Sequence, residues 1–89
     1  MALQDKSDRI DHDGPKLVWQ QVAEDVEAEI ASGKLLPGAK MPAELEIASQ
    51  YGVSRVTIRR AIKELAERDL LIVVHGRGTF VAHGATPST

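Results

Sequence analysis

Cysteine is absent from all 89 residues, which excludes a disulfide framework, a thiolate zinc site and a thiol nucleophile together. The interior of a cell is the natural setting for such a chain. No apolar run approaches the roughly 18 residues of a spanning helix, and residues 1–8 lack the apolar stretch of a signal peptide. A soluble, untargeted chain is therefore expected. There is no internal repeat and no low-complexity block. The length leaves room for one domain and none for a large cofactor-binding enzyme fold. With 43% apolar residues the chain can still build a small core without staples.

Catalytic groupings are missing too. Ser54 lies beside Arg55 with no His or acid at helical spacing on its face. Gly76-Arg77-Gly78 is too short for a phosphate loop, which needs a longer glycine-rich stretch opening a helix. His12, His75 and His83 are scattered without ligand spacing, so neither a metal nor a cofactor is expected. Glu24, Asp25, Glu27 and Glu29 read as a solvated acidic face. The functional alternative for that face is a site for a basic partner, or a guard that orients the protein on DNA.

The net charge of −2 hides an asymmetry. Residues 1–50 hold five Lys and Arg against ten Asp and Glu, a balance of −5, whereas residues 51–89 hold six against three, a balance of +3. Arg55, Arg59, Arg60 and Lys63 fall in a stretch, residues 51–63, with no acid at all. Such local clustering, rather than the total, is the footprint of a polyanion binder.

Along the chain, residues 1–14 carry only Leu3 and Ile10 as sizeable apolar groups and are expected to form a flexible arm. Pro15 then pre-sets a helical dihedral, and Val18, Val22, Val26 and Ile30 recur every four residues until Gly33 ends the helix. Residues 34–42, with two prolines and a Pro-Gly pair, predict an irregular connection whose leucines tuck under the core. A short second helix is expected from about Ala43 to Gln50, and Gly52 terminates it. A third spans residues 54–68, with Ser54 as N-cap and Ile58, Ala61, Ile62 and Leu65 as its apolar stripe. Leu71-Ile72-Val73-Val74 and Thr79-Phe80-Val81-Ala82 read as strands joined by His75-Gly76-Arg77-Gly78. The expected fold is mostly α with a small β-hairpin, a three-helix winged helix-turn-helix over residues 15–82. Residues 83–89 are expected to form a flexible tail.

Helical spacing leaves Val56, Arg59, Arg60 and Lys63 opposite the apolar stripe of the third helix, with Arg55 at the border. A major groove admits such a helix, and an Arg near its amino end can hold guanine O6 and N7. Arg55 and Arg59 are the candidates for base edges, and outward-facing Val56 suits a thymine methyl. Ser54, Thr57, Arg60 and Lys63 suit phosphates, which set register without reading sequence. Arg77 and His75 at the wing tip can reach an adjacent minor groove. Charge runs are usually solvated faces and Gly-Arg-Gly is also an ordinary tight turn, so the combination carries the reading.

The sequence resembles the GntR-type winged helix-turn-helix regulators over residues 16–82. The resemblance is carried by Ile30-Ala31-Ser32-Gly33-Lys34-Leu35-Leu36-Pro37-Gly38, by Met41-Pro42-Ala43-Glu44, by Tyr51-Gly52-Val53-Ser54-Arg55-Val56-Thr57-Ile58-Arg59-Arg60-Ala61-Ile62, and by Leu70-Leu71 with His75-Gly76-Arg77-Gly78-Thr79-Phe80-Val81. It implies transcription regulation by sequence-specific binding of double-stranded DNA in the bacterial cytoplasm. Positions matching Ser54, Arg55, Thr57 and Arg59 touch the operator in that family, and those matching His75 and Gly76 approach the minor groove. A two-fold pair on a pseudo-palindromic operator is the expected arrangement.

Three departures qualify the match. Ala43 stands where many members have Ser, so a side-chain cap paired with Glu46 is missing. Leu45 replaces a basic or polar residue that reaches DNA in some relatives. Members usually continue into a second domain that binds a metabolite and dimerises, so no effector site is expected within these residues, whether they are an excised domain or a minimal regulator. The competing reading is a winged helix used for protein association, its cationic helix docked on an acidic partner.

Overall fold

A computed structural model describes residues 5–83. The first four residues of the expected arm and residues 84–89 of the expected tail lie outside the described residues. Helix α1 spans Val18–Ala31, α2 Glu44–Tyr51 and α3 Arg55–Glu67, followed by strands β1 at Leu71–Val74 and β2 at Gly78–Val81. This is the expected three-helix winged helix-turn-helix. α1 begins three residues after Pro15 because glutamine side chains bond the backbone ahead of it. Gln20 Oε1 accepts from Leu17 N–H at 3.3 Å, and Gln21 Nε2 donates to the carbonyls of Lys16 and Asp11.

The core joins Val22, Val26 and Ile30 of α1, Ile47 and Tyr51 of α2, Ile58, Ala61 and Leu65 of α3, and Leu71 and Val81 of the hairpin. Burying such side chains is worth roughly 1.5–3 kcal/mol each, and it fixes α3 by one flank. Gly52 takes φ 68°, the left-handed turn that lets α3 follow α2 after two further residues. Ser54 Oγ then accepts from Thr57 N–H at 3.1 Å and caps α3. The far end of α3 closes differently from a glycine stop: Asp69 adopts φ 61°, and Leu70 N–H donates to Leu65 C=O at 2.9 Å.

Strands β1 and β2 pair antiparallel, Leu71 opposite Val81 and Val74 opposite Gly78. The connection before α2 is less irregular than its prolines suggest. It lies along β2 like a third strand, with Gly38 N–H to Val81 C=O at 2.7 Å, Val81 N–H to Ala39 C=O at 2.8 Å and Met41 N–H to Thr79 C=O at 2.7 Å. The expectation that both leucines tuck beneath the core is half right. Leu35 packs against it, but Leu36 is 62% exposed, and the buried apolar residue of this connection is Met41. Pairing of residues 38–41 with β2 leaves Leu36 on the outer side of the turn.

The reading of residues 1–14 as an arm with little to bury overlooked its charged groups. Residues Ser7–Arg9 form a single 3-10 turn, and Lys6 N–H donates to Gln50 C=O at 2.7 Å. Lys6 and Glu29 are each only 7% exposed and pair at 3.0 Å. Arg9 reaches Asp25 at 2.8 Å and Glu29 at 3.1 Å, Ile10 joins the core, and Gln21 Oε1 accepts from Asp11 N–H at 2.8 Å. Composition counts apolar groups, whereas this segment is held mainly by ion pairs and hydrogen bonds to α1.

At the start of α2, Ala43 has the extended conformation of an N-cap but makes no side-chain cap bond. Ala43→Ser is expected to stabilise the fold by about 1 kcal/mol, raising the thermal midpoint by roughly 4–8 °C for a domain of this size. An unchanged midpoint in a thermal unfolding scan would contradict the assignment of Ala43 as an uncapped start.

Candidate nucleic-acid interface

With Ile58, Ala61, Ile62 and Leu65 of α3 buried, a rotation of about 100° per residue turns Val56, Arg59, Arg60 and Lys63 to the other side. All four are exposed, as is Arg55 beside them. Val56 is 72% exposed, so it contributes to a surface and not to the core. Ser54 is exposed and Thr57 half-buried. Their hydroxyls bond each other at 2.9 Å. That bond uses one of two hydroxyl hydrogens, so one remains to donate outward.

The base-edge candidates do not stand free. Glu44, at the first turn of α2, accepts from Arg55 Nε at 3.2 Å and from Arg59 Nη2 at 3.3 Å through one oxygen. Partial burial pushes the Glu44 carboxyl up, but the hydrogen bonds from Arg59 and Arg55 outweigh it and hold the group below its ordinary value. Both guanidinium groups are mostly exposed, and such pairs are worth about 0–1 kcal/mol. Glu44 therefore aims the two arginines without consuming them. Arg55 is held by Nε, which leaves the two terminal nitrogens of its fork available.

Arg60 has a different neighbour. Its guanidinium carbon lies 4.5 Å from the centroid of the Trp19 ring of α1, a cation–π contact worth about 0.5–1 kcal/mol at an exposed site. Trp19 is thus part of the cationic face, although its spacing on α1 assigns it to the apolar stripe. No local pattern in sequence gives a contact between residues so far apart.

The wing turn runs from Val74 to Arg77, closed by Arg77 N–H to Val74 C=O at 2.9 Å. Its third residue needs a positive φ, and Gly76 supplies 79°. His75, Gly76 and Arg77 are all exposed, and nothing lies within 4 Å of where a Gly76 side chain would begin. Between this tip and the amino end of α3 runs an open groove of about 790 Å³, bordered by Arg55, Glu44, Glu46, Lys40, His75 and Arg77. Leu45, 68% exposed, offers no polar group where the departure from the family pattern predicts a lost contact.

The acidic face of α1 is not simply solvated. Glu29 and Asp25 hold Lys6 and Arg9, Glu24 holds Lys16 at 2.9 Å, and Glu27 holds Arg68 at 2.8 Å. Asp25 also accepts from the Tyr51 hydroxyl at 2.5 Å. Burial, with that bond, drives the phenol well above its usual range. The carboxylates of α1 are engaged within the chain, and among the described residues Glu44 is the one acid paired with the cationic face of α3. Among those residues no three His, Asp or Glu side chains are grouped to hold a metal ion, and no helix is long and apolar enough to cross a membrane.

Comparison with known proteins places this geometry. The profile of the family described as bacterial regulatory proteins, gntR family, matches residues 19–81. The mannosyl-D-glycerate transport/metabolism system repressor MngR of Escherichia coli K12 is 40% identical over 68 residues, 76% of this chain and 28% of its own length. The HTH-type transcriptional repressor NagR of Bacillus subtilis is 38% identical over 73 residues, 82% of this chain and 30% of its own length. The chain therefore spans less than a third of these curated relatives. The crystal structure of AraR(DBD) in complex with operator ORX1 superposes with a TM-score of 0.70 at 46% identity, over 78% of this chain and 89% of that one. On the family profile, the repressor relatives and the shared fold together, this chain belongs to the gntR family of bacterial regulatory proteins and carries its winged helix-turn-helix DNA-binding domain.

Proposed function

We propose that the chain reads double-stranded operator DNA for a transcription regulator, with α3 in the major groove and the wing at the adjacent minor groove. The observation that carries this is the exposed row Arg55, Val56, Arg59, Arg60 and Lys63 on a helix whose opposite flank is locked into the core. In this reading Arg55 and Arg59 meet base edges and Val56 a thymine methyl. Ser54, Thr57, Arg60 and Lys63 meet phosphates, and His75, Gly76 and Arg77 approach the minor groove. The operator complex of AraR(DBD), at 46% identity, supports the same mode here. One small module supplies few contacts, so two copies on a pseudo-palindromic site are the working arrangement. The setting is the bacterial cytoplasm, and any metabolite that controls the regulator binds outside these residues.

Titration with salt tests the reading. The two cations assigned to phosphates, Arg60 and Lys63, should make log K fall with log salt at a slope of about −2 per bound domain. Fluorescence anisotropy of a labelled duplex, drawn from a random pool by selection on the protein, measures it. A domain that binds no duplex at low salt would overturn the proposal in favour of docking on an acidic protein.

A further inference from the structure

Of the eleven Lys and Arg in the chain, Lys6, Arg9, Lys16, Arg55, Arg59 and Arg68 pair with carboxylates. Among the described residues Lys34, Lys40, Arg60, Lys63 and Arg77 have no such partner. Arg60 and Lys63 lie on α3 and Arg77 on the wing tip. Lys40 precedes α2 in sequence, and nothing in its local pattern marks it as functional. In the fold it borders the groove between α3 and the wing, together with Arg55, His75 and Arg77.

Its placement is rigid at one end and free at the other. The backbone is bridged to Phe80, and the flanking bonds Val81 N–H to Ala39 C=O at 2.8 Å and Met41 N–H to Thr79 C=O at 2.7 Å hold it on both sides. The side chain runs across β2 at Gly78. A Cβ there would stand 2.9 Å from Lys40 Cε and 3.8 Å from Nζ, so the missing side chain of Gly78 is what lets the lysine stem lie flat. The residue is exposed. Glu44 and Glu46 border the same groove, yet neither is within ion-pair distance of Lys40.

We infer that Lys40 is a DNA-backbone ligand, an ammonium at the base of the wing that holds the phosphodiester strand passing between α3 and the hairpin. The inference rests on the operator-binding reading above and adds to it a contact from outside both helix and wing. The Lys40 ammonium has no carboxylate to give up among the described residues, so meeting an anion costs it side-chain freedom and no ion pair. A point charge without a planar fork neutralises phosphate and does not discriminate bases.

Salt titration of the wild type, Lys40→Gln, Lys40→Arg and Lys34→Gln against one selected duplex decides the matter. Lys40→Gln should flatten the slope by roughly 0.9 per bound domain, so that its affinity deficit shrinks about 3.5-fold between 50 and 200 mM salt. The deficit should be equal on duplexes of different sequence. Lys40→Arg should keep the wild-type slope, and so should Lys34→Gln. Lys40 makes no side-chain hydrogen bond among the described residues, and a matching thermal midpoint establishes that the glutamine variant is folded. A wild-type slope retained by Lys40→Gln overturns the assignment while leaving operator binding intact. A change of preference at one base position overturns it too, by making Lys40 a reader. Absence of duplex binding by the wild type defeats the operator reading itself, and this inference with it.

Discussion

Arg55→Ala is expected to remove about 1–3 kcal/mol of discrimination at one base position, while Lys63→Ala weakens all duplexes about equally. The difference follows from what each group can do. Arg55 is held through Nε by Glu44, which presents its two terminal nitrogens as a fork of the kind that matches guanine O6 and N7. Lys63, two turns further along α3 and exposed, carries a rotatable ammonium with no preferred acceptor geometry. Competition binding against duplexes carrying each single-base change measures both effects. Equal, indiscriminate losses from the two substitutions would sink the assignment of Arg55 to base reading.

Glu44 makes this experiment sharper. One of its oxygens accepts from both Arg55 and Arg59, so the two arginines form one unit and their effects are not additive. Glu44→Gln keeps an acceptor at that place but removes a negative charge from a surface proposed to face phosphates. Affinity for every duplex should then rise while preference among them falls. That outcome would make the carboxylate a device for specificity under the proposed function, aiming the guanidinium groups at a small cost in attraction.

What could be read from sequence and what could not divide along a physical line. α3 was legible because its apolar and cationic residues fall on separate arcs, and because Ser54 and Gly52 mark a cap and a turn with local chemistry of their own. The wing was legible because two glycines interrupt two β-rich runs. The Glu44 bridge, the Trp19 stack on Arg60 and the position of Lys40 at Gly78 join residues from 11 to 41 apart. None of these has a period or a spacing to announce it. Charged residues mislead most, since each reads alone as solvated. Glu29, on the buried side of α1 one turn from Val26 and next to Ile30, looks like one of four surface acids until Lys6 is seen against it.

That buried pair gives the second large effect. Glu29→Ala leaves Lys6, 7% exposed, with no carboxylate, and stripping one partner from a buried pair costs roughly 3–5 kcal/mol when the other charge must stay buried. Here it need not stay. Residues 5–14 join the body through the Lys6–Gln50 backbone bond, the Arg9 pair with Asp25, Ile10 and the Gln21 bonds to Asp11. Ordering each of these residues already costs about 1–2 kcal/mol of backbone entropy, so the segment is held by a narrow margin. Peeling it away returns the ammonium to water at less expense than keeping it unpaired. The expected loss is therefore about 1–3 kcal/mol, with α1, α2, α3 and the wing still folded. Urea unfolding and limited trypsin digestion follow the two consequences, a lower midpoint and new cleavage after Lys6 and Arg9. The decisive comparison is a chain lacking residues 1–14. In that background Lys6 and Arg9 are gone and Glu29 faces Asp25 alone, so Glu29→Ala should be neutral or slightly stabilising. A loss as large there as in the full chain would mean that Glu29 supports the helices directly, and that the segment is a passenger on α1.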